Sequence, residues 1–196
     1  MDGFPRLPSP REKMEHEHDC GAAVFAGGCF WCVEAVFQRI AGVRRVEPGY
    51  CGGDEATADY ATVSSGITDH AEAVKVSYDP RQVRYDQLLH VFFATHDPTQ
   101  KDRQGPDSGR QYRSAVFYAD EHQQRVARAY IQQIESSGVF AESIATTLEP
   151  LKAFYAAEEY HHEFVRRNPQ HPYVQHWAAP KLARLEKDFE GNPGNG

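Results

Sequence analysis

Cys29 and Cys32 stand three residues apart in Gly27-Gly28-Cys29-Phe30-Trp31-Cys32. That spacing permits a thiol nucleophile, a redox pair, or half of a metal site. The lead-in Ala22-Ala23-Val24-Phe25-Ala26, two glycines, and apolar residues at 33, 36, 37 and 40 read as strand, tight turn and helix. Cys29 then falls in the first turn of a helix, where unpaired N–H groups and the positive dipole end favour a thiolate. The competing reading is a small buried hydrophobe, the usual fate of a free cysteine. Zinc would need two further ligands. Cys20, Cys51, His16 and His18 are on hand, but no second Cys-x-x-Cys exists.

A carboxylate that could serve such a thiol sits in Asp69-His70-Ala71-Glu72. Alternation along Ala71 to Tyr78 puts Glu72 on the face of Val74 and Val76, towards the core. Desolvation there raises a carboxyl pKa and suits a proton donor near neutral pH; the alternative is a buried glutamate paired with an arginine. Gln104 to Ser114 is a glycine-punctuated loop rich in hydrogen-bonding side chains, among them Asp107 and Tyr112. Tyr60 lies in a second long loop, Gly52 to Asp69. The two tyrosine hydroxyls become functional only if one site draws both loops together. His161 and His162, beside Glu158 and Glu163, read as a solvated helix face or as hydrogen-bonding partners.

The elements that must position these residues follow in order. Strands are expected at 22–26, 43–47, 71–78, 114–118 and 144–148. Helices are expected at 29–41, 85–94, 120–137, 155–167 and 180–189. The order β-α-β-β-α-β over residues 22 to 118 predicts an α+β fold: a two-layer ferredoxin-like (split βαβ) core with additional C-terminal helices and long loops. With 196 residues, 40% of them hydrophobic, one domain over 20–190 is expected between a flexible N-terminal tail, 1–19, and a flexible C-terminal tail, 191–196.

A net charge of −7 argues against nucleic acid and anionic membrane as partners. No apolar signal segment or bilayer-length run is present. Four cysteines crowd the first quarter of the chain, which favours thiol chemistry in a reducing cytoplasm.

Together these residues resemble a known family. Gly-Cys-Phe-Trp-Cys-x-Glu at 28–34, Gly49-Tyr50-x-Gly52-Gly53, His70-Ala71-Glu72, His96-Asp97-Pro98-Thr99-Gln100, Arg103-Gln104-Gly105-x-Asp107, Gln111-Tyr112-Arg113-Ser114 and Ala157-Glu158-Glu159-Tyr160-His161 are similar to peptide methionine sulfoxide reductase A. The blocks run in family order over nearly the whole domain. The resemblance implies Cys29 as the nucleophile on the sulfoxide sulfur and Glu72 as the acid on its oxygen. It implies Tyr60 and Tyr112 as hydroxyl donors to that oxygen, Asp107 as support, and Phe30 and Trp31 as walls for the substrate methyl group.

It further implies a monomer without metal or other cofactor, specific for the S-sulfoxide, whose sulfenic acid is resolved to a disulfide and recycled by thioredoxin. Many relatives resolve with a cysteine near the C-terminus, where this chain has Pro172-Tyr173-Val174; Ser64-Ser65 replaces another. Cys32 is the expected resolving residue and Cys51 the runner-up. The rival function is a thiol-disulfide or zinc-binding module without sulfoxide chemistry.

Overall fold

A computed structural model describes residues 5–14 and 20–188. His16, His18 and the C-terminal segment 191–196 lie outside the described residues.

The domain is a mixed α/β fold on one six-stranded sheet. After β1 (Gly21–Gly27) come α1 (Phe30–Phe37), β2 (Val43–Cys51), α2 (Tyr60–Ser64), β3 (Ala71–Tyr78) and α3 (Tyr85–Ala94). Two short strands, β4 (Arg103–Gln104) and β5 (Asp107–Ser108), form a separate hairpin. Then follow β6 (Ser114–Tyr118), α4 (Glu121–Ser137), β7 (Thr147–Pro150), β8 (Phe154–Ala156), α5 (Phe164–Arg167) and α6 (Ala179–Asp188). The sheet order is β7-β6-β1-β3-β2-β8, with every pairing antiparallel except β6 with β7.

Burial explains the arrangement. β1 and β3 are central and covered on both faces, so their apolar residues run on with little alternation. On one face Phe25 stacks on Phe37 of α1 and Phe92 of α3, with ring centroids 5.2 and 5.1 Å apart. Val74 and Val76 join that core, whereas Ala71, Ala73, Cys51 and Phe117 form a smaller cluster of their own. Residues 5–14 lie along α3 and α4: Leu7 and Met14 are buried, the Tyr130 hydroxyl donates to Pro8 O, and Met14 N–H donates to Asp86.

Several expected elements have different bounds. β2 does not stop at Glu47 but continues through Pro48 to Cys51. Pro48 precedes the stretch that pairs with β8, so its missing N–H falls on an outer edge. The helix expected at 155–167 is instead β8, a 3₁₀ turn at Glu159–His161, and the single turn of α5. A strand near 144–148 exists but is displaced to Thr147–Pro150.

Candidate active site

Cys29 is the N-cap of α1, not a residue of its first turn (φ −55, ψ 124), and its carbonyl accepts the Cys32 N–H at 3.1 Å. Gly28 makes the approach possible. Its φ is +91, and a Cβ there would stand 2.6 Å from Cβ of Gln104. Gln104 in turn bonds the Asp97 backbone through both ends of its amide. The loop thus presses directly on the turn that presents the thiol.

Glu72 lies on β3 opposite Tyr50 of β2 and is 2% exposed. One carboxylate oxygen accepts the Phe30 N–H at 3.1 Å. Burial pushes its pKa up to about 8, against the lowering pull of that N–H. Glu72 is therefore a buried acid without an arginine partner among its causes of shift.

The expected depression of the Cys29 thiol is not what the surroundings produce. Burial, then the hydrogen bond with Cys32 and the charge of Glu72, push Cys29 well above the ordinary cysteine value. A helix-end field is small beside the cost of enclosing an anion. Cys32 is drawn down to about 7, first by the hydrogen bond from Cys29 and against its own burial. Of the two thiols Cys32 is therefore the one that takes negative charge near neutral pH, while Cys29 holds its proton above it.

Both long loops converge here. Tyr60 opens α2, fixed by its own N–H donating to Glu158 at 2.8 Å. Tyr112 ends a 3₁₀ turn at Arg110–Tyr112, and the Gln111 amide joins the two loops by donating to Ser64 O at 3.2 Å. Burial raises both phenols, and both also feel the charges of Glu72, Asp107 and Cys29. Asp107, on β5, accepts the Tyr173 hydroxyl at 2.5 Å. Trp31 keeps partial exposure; its indole N–H donates to His161 Nδ1 at 3.0 Å, and its ring stacks on Phe164. Phe30 is 1% exposed behind it, between Tyr50 and His161. A thiol pair, Cys29 half-buried and Cys32 buried, beside a protonated acid, two phenols and an indole wall suits reduction of a small polar oxide on an apolar carrier.

A family model described as peptide methionine sulfoxide reductase matches residues 21–192. The chain belongs to this family. Peptide methionine sulfoxide reductase MsrA 2 of Synechocystis is 55% identical over 168 residues, covering 85% of this chain and 78% of that protein. Peptide methionine sulfoxide reductase MsrA of Deinococcus radiodurans is 49% identical over 167 residues, 85% of this chain and 81% of its own. The crystal structure of Saccharomyces cerevisiae Mxr1 in reduced form superposes with a TM-score of 0.72 at 33% identity, over 82% of this chain and 92% of that one. The chain is therefore an oxidoreductase acting on methionine sulfoxide.

Within this family the placement of the other cysteines matters. Cys51 pairs with Ala71, one step from the Tyr50–Glu72 pair, so its side chain points to the opposite face. There its thiol donates to Ala153 O at 3.1 Å, and burial pushes its pKa up to about 12. Cys20 is exposed just before β1, at the far end of that strand from Cys29, roughly 20 Å away by strand rise. Cys32 alone among the described cysteines faces Cys29. No group of three or more His, Cys, Asp or Glu among the described residues is placed to hold a metal. A cleft of ≈ 540 Å³ opens beside Gly52, Thr62, Ile67 and Lys152, and Cys29, Cys32, Glu72, Tyr60, Tyr112 and Asp107 do not line it.

Two residues of the site, Tyr173 and Glu34, have no role assigned from sequence. Tyr173 immediately precedes Val174, the residue that stands where many relatives have a resolving cysteine. Glu34 was quoted in the cysteine motif only; it is 1% exposed and accepts the Glu163 N–H at 2.9 and 3.0 Å. Of the two readings of His161 the hydrogen-bonding partner holds and the solvated helix face does not: it is 1% exposed on a 3₁₀ turn, serving as the indole's acceptor. His70 pins the Gly53–Asp54 turn, its Nδ1 accepting from Gly53 N–H and its Nε2 facing Asp54 O. Only the local motifs hinted at these residues.

Proposed function

We propose that the reduction runs through Cys29 as nucleophile and Glu72 as acid, on the S-epimer of methionine sulfoxide, free or in oxidised proteins. One observation carries this reading: Glu72 is held protonated near neutral pH at the N-terminus of the helix that Cys29 caps. A sulfoxide is a poor electrophile until its oxygen is protonated, so acid and thiolate must act at one place.

In the first step the Cys29 sulfur attacks the sulfoxide sulfur while the Glu72 proton goes to the oxygen. The S–O bond breaks, the oxygen passes to the Cys29 sulfur as the transient bond between the two sulfurs breaks, and methionine leaves reduced by two electrons with Cys29 as a sulfenic acid. Tyr60 and Tyr112 hydrogen-bond the oxygen as charge builds on it, Asp107 supports them, and Phe30 and Trp31 confine the methyl group. Cys32 then attacks Cys29; a disulfide forms, and hydroxide departs as water with the proton Cys32 gives up. The shared hydrogen bond of the two sulfurs supports Cys32 over Cys51. No metal or organic cofactor is needed.

The disulfide is recycled by thioredoxin, whose dithiol can enter at the exposed edge of Trp31. The yeast protein Mxr1 has been crystallised in complex with Trx2. We extend the reading to the architecture: the order β6-β1-β3-β2 supports a ferredoxin-like, split βαβ core, within one catalytic domain over 20–190 acting as a monomer. No helix among the described residues is long and apolar enough to cross a membrane, and four free thiols favour the reducing cytoplasm.

The test is racemic methionine sulfoxide with dithiothreitol. Selective loss of the S-epimer, abolished in Cys29→Ser, supports the assignment; wild-type activity in that variant overturns it.

A further inference from the structure

We propose that the Tyr173 hydroxyl is a catalytic hydrogen-bond donor to whichever sulfur of the Cys29–Cys32 pair carries charge, and that Asp107 governs it. The inference rests on those two cysteines being the reacting thiols.

Tyr173 is placed for this by three contacts. It begins a π-helical turn, Val174–Ala178, leading into α6. Its ring meets Trp31 edge-on at 5.8 Å and packs on the small apolar cluster of Cys32, Val174 and Ala178. Its hydroxyl donates to Asp107 at 2.5 Å and, beside the thiol pair, acts to lower the pKa of both Cys29 and Cys32.

A phenol has one proton to give. With that proton committed to Asp107, the thiols must be the donors to the phenol oxygen. A thiolate has no proton to give. Once charge forms on either sulfur, the phenol must turn from Asp107 to the sulfur, or a buried anion is left without that partner. Asp107 sets the cost of the turn, because a charged carboxylate holds the hydroxyl and a protonated one releases it. Burial raises Asp107, while Tyr173 and Lys181 of α6 pull it back. The other groups facing the pair are Glu72 from β3, Lys181 of α6, which also lowers Cys32 directly, and, through their effect from the two loops, Tyr60 and Tyr112.

The role differs from a hydroxyl on the sulfoxide oxygen, because it acts on the protein's own sulfur in both chemical steps. It also suits this chain, whose expected resolving cysteine sits in the helix that the nucleophile caps.

The test uses the full chain carrying Cys20→Ser and Cys51→Ser, so that the ultraviolet absorbance of thiolate reports the pair alone. Tyr173→Phe keeps the ring and removes the hydroxyl. The expected results are a thiolate titration displaced upward by about one pH unit, a tenfold change in ionisation, with native circular dichroism. Single-turnover methionine formation near neutral pH falls about tenfold with it. An unchanged titration in folded Tyr173→Phe overturns the proposal.

If that variant does not fold, Asp107→Asn serves: lowering of the thiolate midpoint supports the proposal, and no change overturns it. The titration needs no substrate. Failure of the Cys29 nucleophile assignment would appear separately, as methionine formation surviving in Cys29→Ser.

Discussion

Glu72 accepts a hydrogen bond from the backbone N–H of Phe30 at 3.1 Å, tying a carboxyl on the central sheet to the first residue of the helix that Cys29 caps. Strand and helix are packed elements, so the spacing of acid and thiol is built into the fold instead of resting on a loop. The same N–H moderates a pKa that burial drives upward, leaving Glu72 at about 8.

The pH profile follows. The thiol pair gains its charge as pH rises through about 7, the value to which Cys32 is lowered. Glu72 loses its proton as pH rises through about 8. Single-turnover methionine formation is therefore bell-shaped, highest between those values. In Glu72→Gln the falling limb disappears and the rate drops by roughly 10²–10⁴-fold, the usual size of a general-acid contribution. Rapid-quench measurements across pH check both.

Thiol counting separates the cysteines. After one sulfoxide, without reductant, the wild type loses two of its four thiols, from Cys29 and Cys32. Cys51→Ser behaves the same, since that side chain faces the other side of the sheet. Cys32→Ser still releases one methionine per chain but loses thioredoxin-driven turnover. Full turnover in Cys32→Ser removes it from the scheme.

Glu34 gives a stability prediction. It is buried, its pKa is raised to about 7 by desolvation, and it accepts the N–H of Glu163, a non-glycine residue at φ 54. A raised carboxyl binds more protons folded than unfolded, so stability declines as pH rises from about 4.5 to about 7, by about 3 kcal/mol. Glu34→Gln, which keeps an acceptor but carries no charge, flattens that decline. Urea unfolding midpoints at several pH values measure it.

Gly28→Ala adds a Cβ at φ +91, 2.6 Å from Gln104. We expect a loss of about 1 kcal/mol or more in stability and a larger relative loss of activity, because relief of the clash moves Cys29. Thermal unfolding together with single-turnover rates reads out both.

Much of this was legible in the sequence where the signal is local. β3, α3 and α4 lie where alternation, apolar spacing, the Asp120 cap and Gly138 put them. Glu72 was found because period two carries it onto the face of Val74. The stretch 155–167, expected as helix, takes its order from distant partners instead: Glu158 accepts from Tyr50 and Tyr60, and Glu34 accepts from Glu163. No local period encodes such bonds. Tyr173 escaped for the same reason, since its partner Asp107 lies 66 residues away. The charge on the thiol pair was misjudged because a helix-end field can be read from position, whereas enclosure and a second sulfur cannot.

The most direct test of the account is one turnover on methionine S-sulfoxide without reductant, with the products quenched and the cysteines mapped by mass. The account predicts one methionine per chain, a disulfide joining Cys29 to Cys32, and no methionine from Cys29→Ser. Methionine formed while Cys29 stays free and alkylatable would contradict it.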